Sequence, residues 1–188
     1  MFKGVLPGGF VAPCLPTKAA EPPSGGLWLH EIKHDGFRVI ARKANNDVRL
    51  YSWPGNDLTE RFPLIVQALA SLRSRSCVID GEAVACGQDG VSSFDRLRYR
   101  RDDANVFLYA FDLIELDGDD LRCEPLQVRK ATLASWPRPA AAFASTITFN
   151  MTTRRSSFGT PAGWGWRGSC RSGRTRPTVP VAHPIGSR

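Results

Sequence analysis

The sequence contains no run of the roughly 18 apolar residues that a membrane-spanning helix needs. Its N-terminal stretch also lacks the continuous apolar region of a secretory signal peptide. Its five cysteines are odd in number and include no CxxC pair, which argues against a disulfide framework and against a zinc site of the usual spacing. These absences predict a cytoplasmic protein with free thiols and no membrane partner.

Acidic residues are missing from residues 151–188, which also lack lysine but carry seven arginines. The formal net charge of +7 arises in this segment, because residues 1–150 hold 18 basic and 18 acidic side chains. The segment shows little apolar periodicity, and such a composition cannot bury a core. We therefore predict a basic, irregular tail over 151–188.

Residues 1–26 are rich in proline and glycine and predict an extended arm. After this arm the pattern changes to that of a folded domain over 27–150. The stretch "WLHEIKHDGFRVIARK" predicts two strands joined as a hairpin at Asp35-Gly36, because an Asp-Gly pair between alternating strands is a strong hairpin signal. Residues 47–53 predict a third strand.

A helical start signal follows at Asp57, with Glu60 three residues later. Pro63 should divide this stretch. The regular helix is then expected from Leu64, where apolar residues recur at helical spacing.

The next part of the chain alternates strands and helices irregularly. Strands are predicted over 76–86 and 106–118, a short helix after Ser92-Ser93, and a longer helix over 124–136. Short helices among strands joined by tight turns favour an α+β fold over a doubly wound parallel sheet.

Residues of a strand alternate between its two faces, and three of the predicted strands place chemically useful side chains on a shared face. These are Glu31 and Lys33 on the first strand, Asp80 and Glu82 on the strand over 76–86, and Tyr109, Phe111 and Leu113 on the strand over 106–118. If the three faces converge, they form a pocket that could stack an adenine, hold a divalent metal on a carboxylate and aim an amine at a phosphate.

Lys33 has two interpretations. A lysine amine attacks only when unprotonated, so its pKa must fall from about 10.4 through burial or neighbouring cations. Attack on the α-phosphate of a nucleotide would give a covalent lysyl-nucleotide, with magnesium neutralising the leaving pyrophosphate. Alternatively, Lys33 is a solvated strand lysine, since a short K-x-D-G pattern also arises by chance.

Four stretches, in this order and spacing, favour the interpretation of Lys33 as a nucleophile: "EIKHDGFR", "LYSWPGNDLTERFP", "VIDGEAVA" and "YAFDLIELDG". Together they resemble the adenylation domain of ATP-dependent DNA ligases, in the bacterial branch that includes end-joining ligases. The resemblance runs from about Gly9 to Leu133.

The resemblance implies a nucleotidyltransferase core of antiparallel sheets flanked by helices, incomplete at the C-terminus, with ATP and Mg²⁺ (or Mn²⁺) as cofactors. By the same resemblance Lys33 becomes adenylylated, Glu31 and Arg38 line the nucleotide site, Glu82 contacts the ribose or the metal, and Phe111 stacks on the adenine. The implied partner is nicked or broken double-stranded DNA, whose 5′-phosphate receives AMP from Lys33 before a 3′-hydroxyl displaces it.

Trp53 departs from the family pattern, which has an arginine at this position. Tryptophan offers one N–H and a large apolar face where arginine offers planar charged donors. Two readings remain open: a single base change at an arginine codon, or a native stacking residue.

The second departure begins near Asn150. Residues 163–173, "GWGWRGSCRSG", can be back-translated with synonymous codons that read "LGLEGIVSKR" after a shift of two bases, as the ligase pattern expects. We therefore hypothesise a frameshift near residue 150. Two lysines expected at the nucleotide phosphates fall in the replaced stretch, so we expect impaired nick sealing.

Two alternative functions stay open. One is an RNA ligase or capping-type guanylyltransferase on the same fold, although "LTERFP" and "LIELDGDDL" favour DNA ligases. The other is a non-enzymatic nucleic-acid-binding or pseudogene fragment whose tail arginines contact phosphates.

Overall fold

A computed structural model describes residues 9–14, 17–18, 28–87 and 92–136, together with strands at 143–145, 148–149, 165–171 and 180–182. In chain order, the strands are β1 (Thr17–Lys18), β2 (Trp28–Lys33), β3 (Phe37–Ala44), β4 (Asp47–Ser52), β5 (Ser76–Val84), β6 (Phe107–Leu116), β7 (Asp119–Asp120), β8 (Phe143–Ser145), β9 (Thr148–Phe149), β10 (Gly165–Arg171) and β11 (Pro180–Ala182). The helices are α1 (Pro63–Ala70), α2 (Phe94–Arg98) and α3 (Leu126–Ser135), with a 3₁₀ turn at Asp103–Asn105. None of these described helices is long and apolar enough to cross a membrane.

The described elements form two compact units, each built on its own sheet. The first unit contains β3 to β8, the helices, and the part of the N-terminal arm from Gly9 to Pro13. Its sheet has the order β4-β3-β5-β6-β7, and β8 pairs with β6. All of these pairs are antiparallel except β6 with β8. The observed fold is therefore α+β, as the sequence predicts.

The larger core of the first unit lies on one face of this sheet, where α1 packs against β4. Helix α3 packs against β6, and Ile40, Val78 and Ile114 form a separate, smaller buried cluster. The fully buried side chains of the larger core include Phe62, just before α1, Ile65 and Leu69 on α1, and Leu50 and Leu108 on the strands. Each such side chain stabilises the fold by roughly 1.5–3 kcal/mol through removal of apolar surface from water.

The start of α1 differs from the prediction. Asp57 does not cap a helix; its carboxylate accepts a hydrogen bond from the Thr59 backbone N–H at 2.8 Å and pairs with Arg49. Helix α1 begins with Pro63 in its first turn, a position where the missing N–H of proline costs nothing. Asp57 thus shapes a local turn, which competes with helix initiation because its side chain bonds two residues ahead.

The predicted hairpin at Asp35-Gly36 is wrong. Strands β2 and β3 both exist, but β3 pairs with β4 and β5, whereas β2 pairs with β9 and β10 in the other sheet. The Asp-Gly pair therefore marks a passage of the chain from one sheet to the other. Its contacts with β5 and with the start of α2 are described below.

The second unit contains a five-stranded sheet with the order β1-β11-β10-β2-β9. β2 is paired on both edges, and opposite it β10 has a register shift at Gly168, between Arg167 and Ser169. The expectation of an irregular tail is therefore wrong over Gly165–Arg171 and Pro180–Ala182. Periodicity of side chains misses such strands, because ladder pairing depends on backbone N–H and C=O groups that every residue except proline carries. The frameshift hypothesis stays a prediction.

Most of the predicted N-terminal arm lies outside the described residues. Residues 9–14 belong to no helix or strand, and Thr17–Lys18 form β1. The extended arm over 1–26 stays a prediction. The arm is attached to the first sheet by Arg42, whose Nη1 donates to the carbonyl of Gly9 at 2.8 Å.

Candidate nucleotide site

Arg38 lies at the centre of the candidate site in the first unit. It stands opposite Glu82 in the β3–β5 ladder. Its Nε and Nη2 donate to the two carboxylate oxygens of Asp80 at 3.0 and 2.7 Å. Its guanidinium carbon lies 5.4 Å from the centroid of the Phe111 ring, within cation–π range. Two parallel hydrogen bonds fix the plane of a guanidinium, so Asp80 holds Arg38 over Phe111.

Glu82 is buried and accepts a hydrogen bond from the backbone N–H of Gly36 at 2.9 Å. A Cβ on Gly36 would lie 2.2 Å from the carbonyl oxygen of Ala83 and 2.9 Å from Cγ of Glu82. Real Cβ atoms do not approach so closely, so only glycine fits here. The role of Gly36 is thus close approach to β5.

Asp35 orients the same turn towards α2. Its Oδ2 accepts the backbone N–H of Phe94 at 3.0 Å, and its own N–H donates to Oγ of Ser92 at 3.2 Å. The sequence predicts this helix after Ser92-Ser93, but no side-chain cap bond comes from Ser93. The carboxylate that accepts the first helical N–H belongs to Asp35, 59 residues earlier in the chain. No local sequence pattern reveals such a contact.

Phe111 occupies a bulge in β6. Ala110 pairs with Gly81 and Asp112 with Asp80, so that Phe111 is the extra residue between them on β6, and a second shift follows at Ile114. Each extra residue reverses which face the following side chains occupy. The predicted shared face of Tyr109, Phe111 and Leu113 is therefore wrong, and Leu113 belongs to the core. The shared face of Asp80 and Glu82 is confirmed by their pairing with alternate residues of β3.

Sequence reasoning missed the role of α3 behind this bulge. Arg129 donates from Nε and Nη2 to the two carboxylate oxygens of Asp112 at 2.9 and 3.0 Å. The ammonium group of Lys130 donates to the carbonyl of Phe111. The only available signal was a basic pair on a helix that follows an acidic strand, and such pairs are common on solvated surfaces.

Burial raises the pKa of Asp112 to about 6, and the neighbouring carboxylate of Asp80 acts in the same direction. Arg129 and Lys130 oppose this rise. The pKa of Asp112 rises because the cost of removing its carboxylate from water exceeds the attraction of its charged partners.

Glu31 and Lys33 lie on β2, in the second unit. Glu31 is buried, and Lys33 pairs through its backbone with Gly165. The side chain of Lys33 lies outside the described part of the chain. Convergence of Glu31 and Lys33 with Arg38, Glu82 and Phe111 stays a prediction.

Among the described residues, no group of three or more His, Cys, Asp or Glu side chains could hold a metal ion. Magnesium, however, is commonly held by one or two carboxylates together with substrate phosphates. A single buried carboxylate such as Glu82 is compatible with that mode, so the assignment of the metal to Glu82 stays a prediction.

Comparison with known proteins identifies the class of this fold and site. The structure superposes with a TM-score of 0.60 on the ligase domain of LigD from M. tuberculosis, with 27% identity over 89% of this chain and 60% of that one. It matches a mycobacterial DNA ligase D complexed with ATP and MES equally well, with a TM-score of 0.60 and 28% identity over 90% of this chain and 60% of that one. The fold is that of the nucleotidyltransferases, as expected.

Residues 17–155 match the family described as "ATP dependent DNA ligase domain". The chain belongs to this family. It is 35% identical over 127 residues to the multifunctional non-homologous end joining protein LigD of Pseudomonas aeruginosa, covering 66% of this chain and 15% of that protein. It is 30% identical over 130 residues to a prophage-derived DNA ligase-like protein of Bacillus subtilis, covering 67% of this chain and 47% of that protein. The chain thus spans less than half of these relatives.

Proposed function

We propose that this chain binds ATP and forms a covalent lysyl-AMP at Lys33, as the nucleotide-charging part of a DNA ligase that acts in end-joining repair. The observation that carries the proposal is the fixed set of Arg38, Asp80 and Phe111, with Glu82 on the same strand as Asp80. Membership of an ATP-dependent ligase family supports it, as does similarity to a ligase complexed with ATP.

In the proposed complex, the ring of Phe111 stacks on the adenine and Arg38 provides positive charge beside the nucleotide. Asp80 keeps Arg38 in place before ATP arrives, which lowers the entropy lost on binding. Glu31 lines the nucleotide site, and Glu82 accepts a hydrogen bond from the ribose or binds the metal.

Lys33 carries the chemical step. Its Nζ, once deprotonated, attacks the α-phosphorus, a P–N bond forms, and the bond from phosphorus to the pyrophosphate oxygen breaks. Magnesium held by Glu82 and the phosphates would supply charge neutralisation for the pyrophosphate that leaves. AMP then passes to the 5′-phosphate of nicked or broken double-stranded DNA, and a 3′-hydroxyl displaces it.

Intact-mass measurement after incubation with ATP and magnesium tests this function. We expect a gain of one AMP that peptide mapping places on Lys33, and no gain for Lys33→Arg, which keeps the charge but removes the nucleophilic amine. GTP in a parallel incubation distinguishes the capping-type alternative. Absence of the adduct in a folded protein, or its attachment to another residue, would show that the proposal is wrong.

A further inference from the structure

Helix α2 ends in a turn that is fixed by two backbone hydrogen bonds. The N–H of Arg101 donates to the carbonyl of Arg96 at 3.0 Å, and the N–H of Arg100 donates to the carbonyl of Leu97 at 3.1 Å. This pair of bonds is the Schellman motif, in which the residue after the helix cap adopts a left-handed conformation. Arg100 occupies that position with φ of 52°.

Arginine is an unfavourable residue at this position. A left-handed conformation costs a residue with a Cβ about 1–2 kcal/mol, and glycine normally takes it. Arg100 is exposed, so burial of its side chain does not offset the cost. A strained residue on the surface is a reason to look for a function of its side chain.

Tyr99, the cap residue, is 58% exposed, more than any other large hydrophobic side chain in the described part of the chain. The guanidinium carbon of Arg98 lies 5.7 Å from its ring centroid, and that of Arg101 lies 5.3 Å from it. Such cation–π contacts hold both arginines beside the ring with little loss of hydration. Tyr99 therefore organises two positive charges at the surface.

The neighbouring acidic residues do not neutralise these charges. Asp102 pairs with Arg96 at 3.3 Å, and Asp103 pairs with Arg61 at 2.9 Å. Within the described part of the chain, no ion pair joins Arg98, Arg100 or Arg101 to a carboxylate. The first 150 residues are neutral in total, but the turn after α2 is locally basic.

We propose that Arg98, Tyr99, Arg100 and Arg101, here called the Arg-Tyr patch, bind the phosphate backbone of nucleic acid. Guanidinium groups match phosphate oxygens with paired donors, and an exposed aromatic ring provides a surface for a sugar or an unpaired base. An anionic membrane fits less well, because α2 has five residues and buries its Leu97 in the core, which leaves no apolar face to insert. The choice of duplex DNA as the nucleic acid rests on the proposed ligase function.

Arg100→Gly is the decisive variant, because it removes one charge and also relieves the left-handed strain. The binding of the 188-residue chain to a fluorescent nicked duplex is measured by anisotropy without ATP, at several salt concentrations. We expect affinity to fall about threefold to tenfold and the salt slope to decrease by about one unit, while the melting temperature stays constant or rises. The tail arginines are the same in all variants and contribute an equal background.

Arg122→Gln is the matched control. It removes an exposed arginine that Asp120 already neutralises through a contact of 2.6 Å, so DNA affinity should change less than about twofold. The triple variant Arg98→Gln, Arg100→Gly, Arg101→Gln should lower the salt slope by about two to three units.

Equal DNA binding by Arg100→Gly and the parent chain, or equal losses for Arg100→Gly and Arg122→Gln, would overturn the proposal. Patch-dependent binding to vesicles of anionic phospholipid without binding to DNA would also overturn it. Adenylation of Lys33 is followed separately in every variant. Patch-dependent DNA binding without adenylation would uphold the patch and refute the proposed function, and the converse result would refute the patch alone.

Discussion

Arg129 on α3 donates two parallel hydrogen bonds of 2.9 and 3.0 Å to the carboxylate of Asp112 on β6. Asp112 directly follows the bulge residue Phe111, whose carbonyl accepts a hydrogen bond from Lys130. Two consecutive residues of one helix therefore hold the strand where it carries the candidate adenine platform. Helix α3 acts on the site through the backbone of β6.

Arg129→Met should destabilise the protein by about 3 kcal/mol, because it leaves the half-buried carboxylate of Asp112 without its buried charged partner. Denaturation with urea at pH 7.5 measures the loss. The control Arg122→Gln breaks an exposed ion pair and should cost no more than about 1 kcal/mol. Similar losses for the two variants would mean that the Arg129–Asp112 pair contributes no more to stability than the Arg122–Asp120 pair.

Asp112 should make stability depend on pH in a defined direction. Its pKa rises from 3.8 to about 6 in the folded protein, so the folded state binds the proton more tightly than the unfolded state. The resulting stabilisation is fully present below about pH 4 and is lost as the pH rises through about 6.

The difference in free energy of unfolding between the parent chain and Asp112→Asn isolates this contribution. It should fall as the pH rises from about 4.5 to 6.5, at up to about 1.4 kcal/mol per pH unit, and then stay level. A difference that increases over this range would indicate a lowered pKa, with Arg129 outweighing burial.

Gly36→Ala should disrupt the turn between the two sheets. The new Cβ would meet the backbone carbonyl of Ala83 at 2.2 Å, and a backbone atom in a sheet cannot move away as a side chain can. Gly118→Ala is the control, since Gly118 has φ of 94° but no atom within 4 Å of its Cβ position. We expect the control to lose about 1 kcal/mol from strain alone and Gly36→Ala to lose clearly more in the same urea titration. Equal losses would show that β5 yields to the added methyl group.

The sequence predicts the existence of most elements, because these depend on short-range periodicity. It predicts β5 and α3 well, since a nine-residue strand and a ten-residue helix are long enough to show their patterns. It fails at Phe111, where a bulge changes the face of later residues without any local signal. It also fails at Asp35-Gly36, because the same dipeptide serves a hairpin or a passage between sheets, and its partners on β5 and α2 are distant in sequence.

The residues of the candidate site also divide into those that local motifs predict and those that depend on distant contacts. Motif order predicts Arg38, Glu82 and Phe111 as site residues, and the structure brings Arg38 together with Phe111 and pairs it with Glu82 across the strands. Their roles at a nucleotide stay predictions. The supporting residue Asp80 was predicted only as a neighbour of Glu82 on a shared face. Its partner is 42 residues away in sequence, and such contacts follow from sheet register, which the sequence does not show.

Asp80→Asn should weaken the handling of ATP without removing the nucleophile. The parent carboxylate accepts hydrogen bonds from Nε and Nη2 of Arg38, whereas an amide offers one oxygen and a donor that opposes the guanidinium. Arg38 would then lose its fixed orientation over Phe111. Because a hydrogen bond to a charged group contributes about 1.5–3 kcal/mol, we expect the ATP concentration for half-maximal lysyl-AMP formation to rise about tenfold or more. The rate at saturating ATP should change less.

Asp120→Asn is the matched control, because it weakens an ion pair with Arg122 that lies at the surface, and its ATP dependence should equal that of the parent chain. An unchanged half-maximal concentration in folded Asp80→Asn would show that Arg38 does not need Asp80 to meet the nucleotide.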